Sequence, residues 1–139
     1  MDDYFKFKVI ELNTDEISKI KKAWENAFVP VGIDKEKIHY DCMLWHIFSY
    51  KVKECEEGEQ AINSFKAILK DSFYIFYQRK DTGYLIDNNT RAFIFDDMRI
   101  FITDFETADI YITDKGFNWT FVQTHEDGWL GPYFCKSHS

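Results

Sequence analysis

The stretch ADIYITDKGFNWTFVQT, residues 108–124, contains two runs of β-branched and aromatic residues separated by the short loop DKG. Such residues are enriched in β-strands, where side chains point alternately to the two faces of a sheet. Two strands joined by so short a loop pair antiparallel, and a glycine in the last loop position accepts a left-handed backbone conformation. The segment therefore predicts a β-hairpin whose left-handed residue is Gly116.

The chain upstream of this hairpin predicts more strands. FYIFYQ, residues 73–78, is apolar on both faces, as is typical of a strand in the interior of a sheet. The loop RKDTG, residues 79–83, has hairpin length and returns the chain as YLI, residues 84–86. RAFIF, residues 91–95, and RIFIT, residues 99–103, are interpreted as two further strands.

The beginning of the chain combines one strand with one helix. In YFKFKVIEL, residues 4–12, apolar and charged side chains alternate, which predicts a strand. Asn13 is a preferred N-cap and Glu16 follows three residues later, as in a capping box. Pro30 and Gly32 then mark the end of the helix. The apolar residues at helical spacing between these limits are Ile17, Ile20, Trp24, Ala27 and Phe28.

The middle of the chain is less clearly patterned. DKEKIHYDCMLWHIFSY, residues 34–50, has apolar side chains on all sides, which indicates burial. We interpret residues 35–48 as a helix, with a strand as the alternative. KVKECEEG, residues 51–58, is predicted to be a loop, and another helix is predicted from Glu59 to Lys70. The inward-facing residues of that last helix are Ala61, Phe65, Ile68 and Leu69.

These elements predict one α+β domain that spans residues 1–139. It has an N-terminal strand, followed by two to three helices packed on one face of a C-terminal, mainly antiparallel sheet. Six glycines, two prolines and the absence of an internal repeat argue against several domains.

The charge and aromatic content restrict the classes of partner. The net charge is −7, and such a surface repels phosphate backbones and anionic lipids, so neither nucleic acid nor a membrane is an expected partner. Aromatic residues make up 19% of the chain, more than one small core needs, and exposed rings often mark partner surfaces. An acidic surface suits either simple solubility or docking onto a basic protein.

Cysteine usage and the first residues predict a cytoplasmic location. Cys42, Cys55 and Cys135 form no CxxC pair, and their odd number is typical of a reducing compartment. The first twelve residues are acidic and alternating, unlike a secretory leader. No apolar run approaches the ~20 residues that span a membrane as a helix.

The first candidate site is the step from His125 to Glu126, beside Trp129 and Tyr133. On a continuous strand the His125 side chain would share a face with Phe117, Trp119, Phe121 and Gln123, while the Glu126 side chain would lie on the opposite face. The structural interpretation is a histidine at the rim that bonds loop carbonyls. The functional interpretation is a His/carboxylate pair at the mouth of a cleft, suited to proton transfer. A zincin motif is excluded, because Trp129 stands where its second histidine would be.

A second candidate is a metal site. His39, Cys42 and His46 line one stripe if their segment is helical, and this set suits a borderline metal. The alternative is a buried apolar segment in which the cysteine packs as a small hydrophobic residue. A strand would place His39 and His46 on opposite faces and remove the site. The sequence otherwise predicts no cofactor.

A third candidate is an acidic surface. Its first part is the cluster Glu54, Glu56, Glu57 and Glu59. Its second part comprises Asp96, Asp97, Asp104, Glu106 and Asp109. The spacing does not match a calcium-binding loop. The two remaining interpretations are a solvated charged surface and a docking face for a basic protein.

Three stretches together resemble a family of small bacterial proteins, common in bacilli, that is known only as a domain of unknown function. They are LWHIFSY at 44–50, FYIFYQ at 73–78 and WTFVQTHEDGWLGPYF at 119–134, and CEEGEQAINSF at 55–65 fits the same pattern. The resemblance implies a cytosolic bacterial protein of about this length. It carries no activity and no site residues.

The sequence therefore leads to two functional hypotheses. The first is a non-catalytic, acidic protein-binding module of the inhibitor or immunity type, an analogy of size and charge. The alternative is a small-ligand binder or hydrolase-like enzyme with its site at His125 and Glu126. Strand edges and surplus aromatic rings also predict a homodimer.

Overall fold

The computed structural model describes residues 7–29, 55–68, 71–88, 93–124 and 132–136. The strands are β1 (Lys8–Leu12), β2 (Glu56–Glu57), β3 (Ser72–Tyr77), β4 (Gly83–Asp87), β5 (Ile110–Asp114), β6 (Trp119–Gln123) and β7 (Tyr133–Lys136). The helices are α1 (Thr14–Phe28) and α2 (Glu59–Ala67), with 3₁₀-helices at Phe95–Phe101 and Phe105–Thr107. Helices combined with an antiparallel sheet confirm the predicted α+β class.

The strands form one sheet in the order β1-β4-β3-β5-β6-β7-β2, and every neighbouring pair is antiparallel. The hairpins β3–β4 and β5–β6 are the two that the sequence predicts. β3 pairs with β4 on one side and β5 on the other, as its apolar faces require. Two strands were not predicted: β7, and the short β2 that pairs with it at the sheet edge.

Helix α1 begins where the sequence predicts. The backbone N–H of Glu16 donates to Asn13 Oδ1 at 2.9 Å, and the N–H of Asn13 donates to Glu16 Oε1 at 3.2 Å. This reciprocal pair satisfies two N–H groups that have no partner inside the helix. The helix ends at Phe28, where the backbone of Val29 becomes extended.

A hydrogen-bond relay fixes α1 to the sheet. The indole N–H of Trp24, which is fully buried, donates to Thr120 Oγ1 at 2.9 Å, and that hydroxyl donates to the carbonyl of Ile112 at 2.9 Å. The helix also approaches the sheet closely at Gly83. A Cβ atom there would lie 2.7 Å from Ile17 Cδ1 and 2.3 Å from the carbonyl oxygen of Ile75.

The two described α-helices lie on opposite faces of the sheet, so the prediction that helices cover one face is wrong. The α1-side core contains Ile17, Ile20, Trp24, Phe28, Phe76, Tyr111, Val122, Tyr133 and Cys135. The α2-side core contains Ala61, Phe65, Phe73, Ile75, Ile112, Met98, Phe101, Trp119, Phe121 and Phe134. The strands carry apolar side chains on both faces, so each face needs a covering layer.

The strand prediction for RIFIT is wrong, and residues 93–95 of RAFIF form no strand either. Residues 91 and 92 lie outside the described residues. The backbone N–H of Ile94 donates to Asp97 Oδ2 at 2.8 Å, and this bond caps the 3₁₀-helix that follows. Met98 and Phe101, three residues apart, both enter the α2-side core. This spacing of three is the period of a 3₁₀-helix, and the short segment fitted a period of two equally well.

The β5–β6 hairpin differs from the prediction at one position. The positive φ angle, 56°, belongs to Phe117 and not to Gly116. Asp114 sets this geometry, since its carboxylate accepts the backbone N–H groups of Asn118 at 2.7 Å and Trp119 at 3.1 Å. The Phe117 ring therefore packs on the α1 side, 5.9 Å from the ring of Tyr74, whereas Trp119 faces α2. The two rings do not share a face, contrary to the prediction.

The described residues test two of the helix predictions only in part. Helix α2 begins at Glu59 as predicted but ends at Ala67, before the predicted Lys70. Ala61 and Phe65 are buried and Ile68 packs on the same core, as predicted, whereas Leu69 lies outside the described residues. The predicted helix at residues 35–48 also lies outside the described residues.

Candidate functional site

For the first site predicted from the sequence, the structure describes only the residues on either side of it. Strand β6 ends at Gln123, and the next residue, Thr124, is buried. His125, Glu126 and Trp129 lie outside the described residues, so the placement of the His125 and Glu126 side chains on opposite faces stays a prediction. Tyr133 is opposite Val122 in the β6–β7 pair and is 1% exposed, so its ring belongs to the α1-side core.

A buried polar cluster lies beside the end of β6. Arg79 Nη1 donates to the carboxylate of Asp109, which is fully buried, while the Arg79 side chain keeps 23% exposure. The Tyr111 hydroxyl donates to Gln78 Oε1 at 2.5 Å, and the Gln78 N–H donates to the Asp109 carbonyl at 3.0 Å. These bonds join the end of β3 to the start of β5.

The assignment of Asp109 to the acidic surface is therefore wrong. Asp109 directly precedes β5, and β5 pairs with β3 so that Tyr77 lies opposite Ile110. This register places Asp109 opposite Gln78, the residue between the end of β3 and Arg79. A buried carboxylate is rarely tolerated without a cation or several donors. The apolar run that begins at Ile110 was the only sequence signal that Asp109 lies at a strand end.

The first acidic cluster lies at the sheet edge formed by β2. Glu56, Glu57 and Glu59 are exposed, and Glu54 lies outside the described residues. Glu56 Oε1 accepts a hydrogen bond from Ser64 Oγ at 2.5 Å, which ties β2 to α2. The three glutamates therefore lie on one short strand and the first turn of α2, and the Glu56 carboxylate is held against α2.

The second acidic group divides into capping and solvated residues. Asp97 caps the first 3₁₀-helix, and Asp104 Oδ1 accepts the Thr107 N–H at 3.2 Å. Asp96 and Glu106 are exposed and have no such capping bond among those described. Asp96 and Glu106 thus remain as surface charges of this group.

The exposed large apolar side chains among the described residues belong to the first 3₁₀-helix and its N-cap. Ile94 is 52% exposed and Ile100 is 41% exposed. Ile94 borders a shallow cleft of about 330 Å³ between that segment and α2; the lining residues are Lys66, Phe93, Ile94, Phe95 and Asp96. The sequence alone does not reveal this patch, because RAFIF and RIFIT are interpreted there as two strands.

Another cleft, of about 560 Å³, lies along α1 beside Lys21. Lys21 Nζ donates to the Lys80 carbonyl at 3.1 Å and lies 4.0 Å from the carboxylate of Asp81. Burial lowers the pKa of Lys21, and the charge of Asp81 opposes that shift. The ammonium group is therefore held in place as part of the α1 contact with the β3–β4 loop.

The metal prediction falls outside the described residues, because His39, Cys42 and His46 all do. In the part of the chain that the structure describes, no three His, Cys, Asp or Glu side chains are grouped so that they could hold a metal ion. The same part contains no helix whose length and apolarity would let it cross a membrane.

The described elements define an α+β protein in which α1 covers one face of an antiparallel sheet, and α2 with the first 3₁₀-helix covers the other. A family model described as a domain of unknown function, DUF4275, matches residues 4–134. The chain belongs to this family, in agreement with the resemblance seen in its sequence. No curated protein and no solved structure matches the chain.

Proposed function

We propose that the protein is a non-catalytic binding module, of the inhibitor or immunity type, that engages a basic protein partner. The observation that carries the proposal is the exposed pair Ile94 and Ile100 on a side of the molecule that also presents carboxylates. The docking surface consists of the first 3₁₀-helix with its N-cap, the outer side of α2, and β2.

The apolar part of the docking surface supplies a reason for contact. Large apolar side chains that remain half-exposed beside a cleft gain free energy when a partner covers them. The cleft floor packs on the core, since the Phe95 ring lies 6.2 Å from that of Phe65 and 6.0 Å from that of Phe121, both in the core. A preformed apolar patch loses little conformational entropy on binding.

The charged part of the docking surface determines which class of partner it attracts. Glu56, Glu57, Glu59 and Asp96 are exposed within the docking surface, against Lys66 and Arg99 as its exposed cations. Together with the net charge of −7, this excess of carboxylates attracts a basic surface and repels an acidic one. Long-range attraction of this kind raises the association rate and is screened by salt.

The test begins with a partner recovered at low salt from a lysate of the source cells and then purified. Calorimetric titration of the two pure proteins is expected to show an affinity that falls at least tenfold in the Ile94→Ser/Ile100→Ser variant. Asp96→Asn is expected to weaken binding, whereas Asp15→Asn, which removes the same charge from the first turn of α1, is the matched control. A pure complex that is equally tight in all variants, or no partner at all, contradicts the proposal.

A second candidate function is a small-ligand binder or hydrolase-like enzyme at His125 and Glu126. The observation that favours it is the polar cluster of Arg79, Asp109 and Gln78 beside the end of β6, two residues before His125. Polar groups that converge at a strand end are a common setting for binding sites. The wild-type protein should then hydrolyse activated esters faster than His125→Ala and Glu126→Gln variants, and equal rates contradict this candidate.

A further inference from the structure

Cys55 directly precedes strand β2, and Cys135 lies on the neighbouring strand β7. Within that antiparallel pair, Glu56 is opposite Phe134 and Glu57 is opposite Tyr133. Each step back along β2 is matched by one step forward along β7. The next position therefore places Cys55 opposite Cys135, both as thiols.

Both side chains also lie on the same face of the sheet. Cys135 is a buried member of the α1-side core, and Cys55, which is half-buried, packs against that core. Phe134, between Tyr133 and Cys135, points to the α2 side. The two thiols are thus directly opposed on one face, as the register requires.

The hydrogen-bond pattern shows which kind of cross-strand pair this is. The Gly58 N–H donates to the Pro132 carbonyl at 2.8 Å, so Gly58 and Pro132 form a hydrogen-bonded pair. Bonded and non-bonded pairs alternate along an antiparallel ladder, which makes the Cys55–Cys135 position, three steps on, a non-bonded pair. Cα atoms in such pairs are about 4.5 Å apart, within the roughly 4.4–6.8 Å range of disulfides.

We propose that Cys55 and Cys135 form an oxidisable dithiol site whose co-reactant is hydrogen peroxide. Cys55 reacts first, because it is partly exposed whereas Cys135 is 3% exposed. Its thiolate attacks one peroxide oxygen, the O–O bond breaks, and a sulfenic acid forms while the departing hydroxide takes up the thiol proton as water. The sulfur of Cys135 then attacks the Cys55 sulfur, the S–O bond breaks, and the hydroxide leaves with the Cys135 proton as a second water. Two thiols are oxidised by two electrons, and one peroxide is reduced to two waters.

The disulfide would fasten the weakest-paired strand of the sheet. Strand β2 has two residues and lies at the edge, next to β7 alone among the described strands. A bond between Cys55 and Cys135 closes most of the chain into one loop, and cross-links that close long loops restrict the unfolded state strongly. This site is independent of the proposed docking function.

The test uses the full chain treated with a slight excess of hydrogen peroxide, followed by N-ethylmaleimide and digestion without reduction. Mass spectrometry is expected to find the Cys55 and Cys135 peptides joined, lacking the two thiol hydrogens, with Cys42 alkylated. The melting temperature should rise on oxidation and return on reduction. Cys42→Ser should keep both effects, and Cys55→Ser should lose both while Cys135 is alkylated on unfolding.

Three outcomes would overturn the proposal. The first is a disulfide that includes Cys42 in the native protein. The second is oxidation of Cys55 to the sulfinic acid while Cys135 is still alkylated. The third is alkylation of all three thiols after peroxide treatment. Cys135→Ser should lose both effects, as Cys55→Ser does; if it fails to fold, Cys135→Ala replaces it, and peptide mapping of the wild-type chain decides in any case.

Discussion

Single residues at strand ends stabilise the pairing of neighbouring strands, and Asp109 is the clearest example. It carries a negative charge that is completely buried, and its carboxylate pairs with Arg79 across the ends of β3 and β5. From the sequence alone Asp109 is grouped with the surface charges, because its neighbours in the chain do not reveal that it pairs with a cation thirty positions earlier. Pairing of this kind depends on register, which only the folded sheet supplies.

Asp109→Asn should lower the free energy of unfolding by roughly 3 kcal/mol, near the lower end for broken buried ion pairs because Arg79 is partly exposed. Urea denaturation of the purified variant measures this loss. The control is Asp81→Asn, which removes an 81%-exposed carboxylate 4.0 Å from Lys21. It should cost less than about 1 kcal/mol, as exposed ion pairs do. Equal effects of the two substitutions would show that the Asp109 pair does not stabilise the fold.

Tyr77 makes stability depend on alkaline pH. Burial, with smaller contributions from Tyr84 and Asp104, raises the pKa of Tyr77 far above its ordinary value of 10.0, and its hydroxyl donates to the Phe101 carbonyl at 2.8 Å. Above that ordinary value the unfolded chain loses the proton and the folded chain keeps it, so the folded state binds more protons. The free energy of unfolding therefore falls as pH rises through this range.

Tyr77→Phe should remove that part of the pH dependence. The variant is expected to be less stable than wild type near neutral pH, because the bond to Phe101 is lost. The difference between the two proteins should shrink as the pH rises above about 10, where the unfolded wild-type tyrosine ionises. Urea denaturation across this pH range measures both curves. Parallel curves would contradict the shifted pKa.

At the scale of elements, the sequence predicts those that carry their own local signals. Helix α1 has its cap in Asn13 and Glu16, and the β5–β6 hairpin has alternating strands around a tight loop. The segment around Ile94 and Ile100 was misinterpreted, because in a short run apolar residues fit a period of two or three. The brief strand β2 was missed because its glutamates have low strand propensity and its pairing with β7 is long-range.

The close contact of α1 with the sheet depends on residue 83 being a glycine, which has no side chain. A Cβ atom there would lie too close to the Ile75 carbonyl, a backbone atom that cannot move aside cheaply. Gly83→Ala should therefore cost roughly 1–3 kcal/mol, the usual range for overpacking. In the control, Gly116→Ala, the added Cβ would approach closely only the end of the exposed Asn118 side chain, at 2.7 Å, with Asp114 Oδ2 at an ordinary contact distance of 3.7 Å, so the loss should be smaller. Thermal unfolding of both variants compares them, and an equal loss would contradict the close packing of α1.

At the scale of the whole molecule, helices cover both faces of the sheet, so a partner would contact the outer surfaces of these covering layers. Net charge and aromatic content predicted an acidic binding protein, and we propose the docking surface around Ile94, Ile100 and β2 as the place where its partner binds. The sequence could not supply this location, since the surface joins residues 56–60 to residues 94–100 only through packing on the α2-side core. The proposed site at His125 lies at a different part of the chain, so the two functional candidates are separable by where a partner binds.

The most direct test of the docking proposal is amide hydrogen exchange of the protein, alone and in its purified complex. Exchange should be slower in the complex at residues 56–67 and 94–101 and unchanged in α1. The same protection should weaken in the Ile94→Ser/Ile100→Ser variant at equal partner concentration. Protection centred instead on residues 124–133 or on α1, with the docking surface unaffected, would contradict the account.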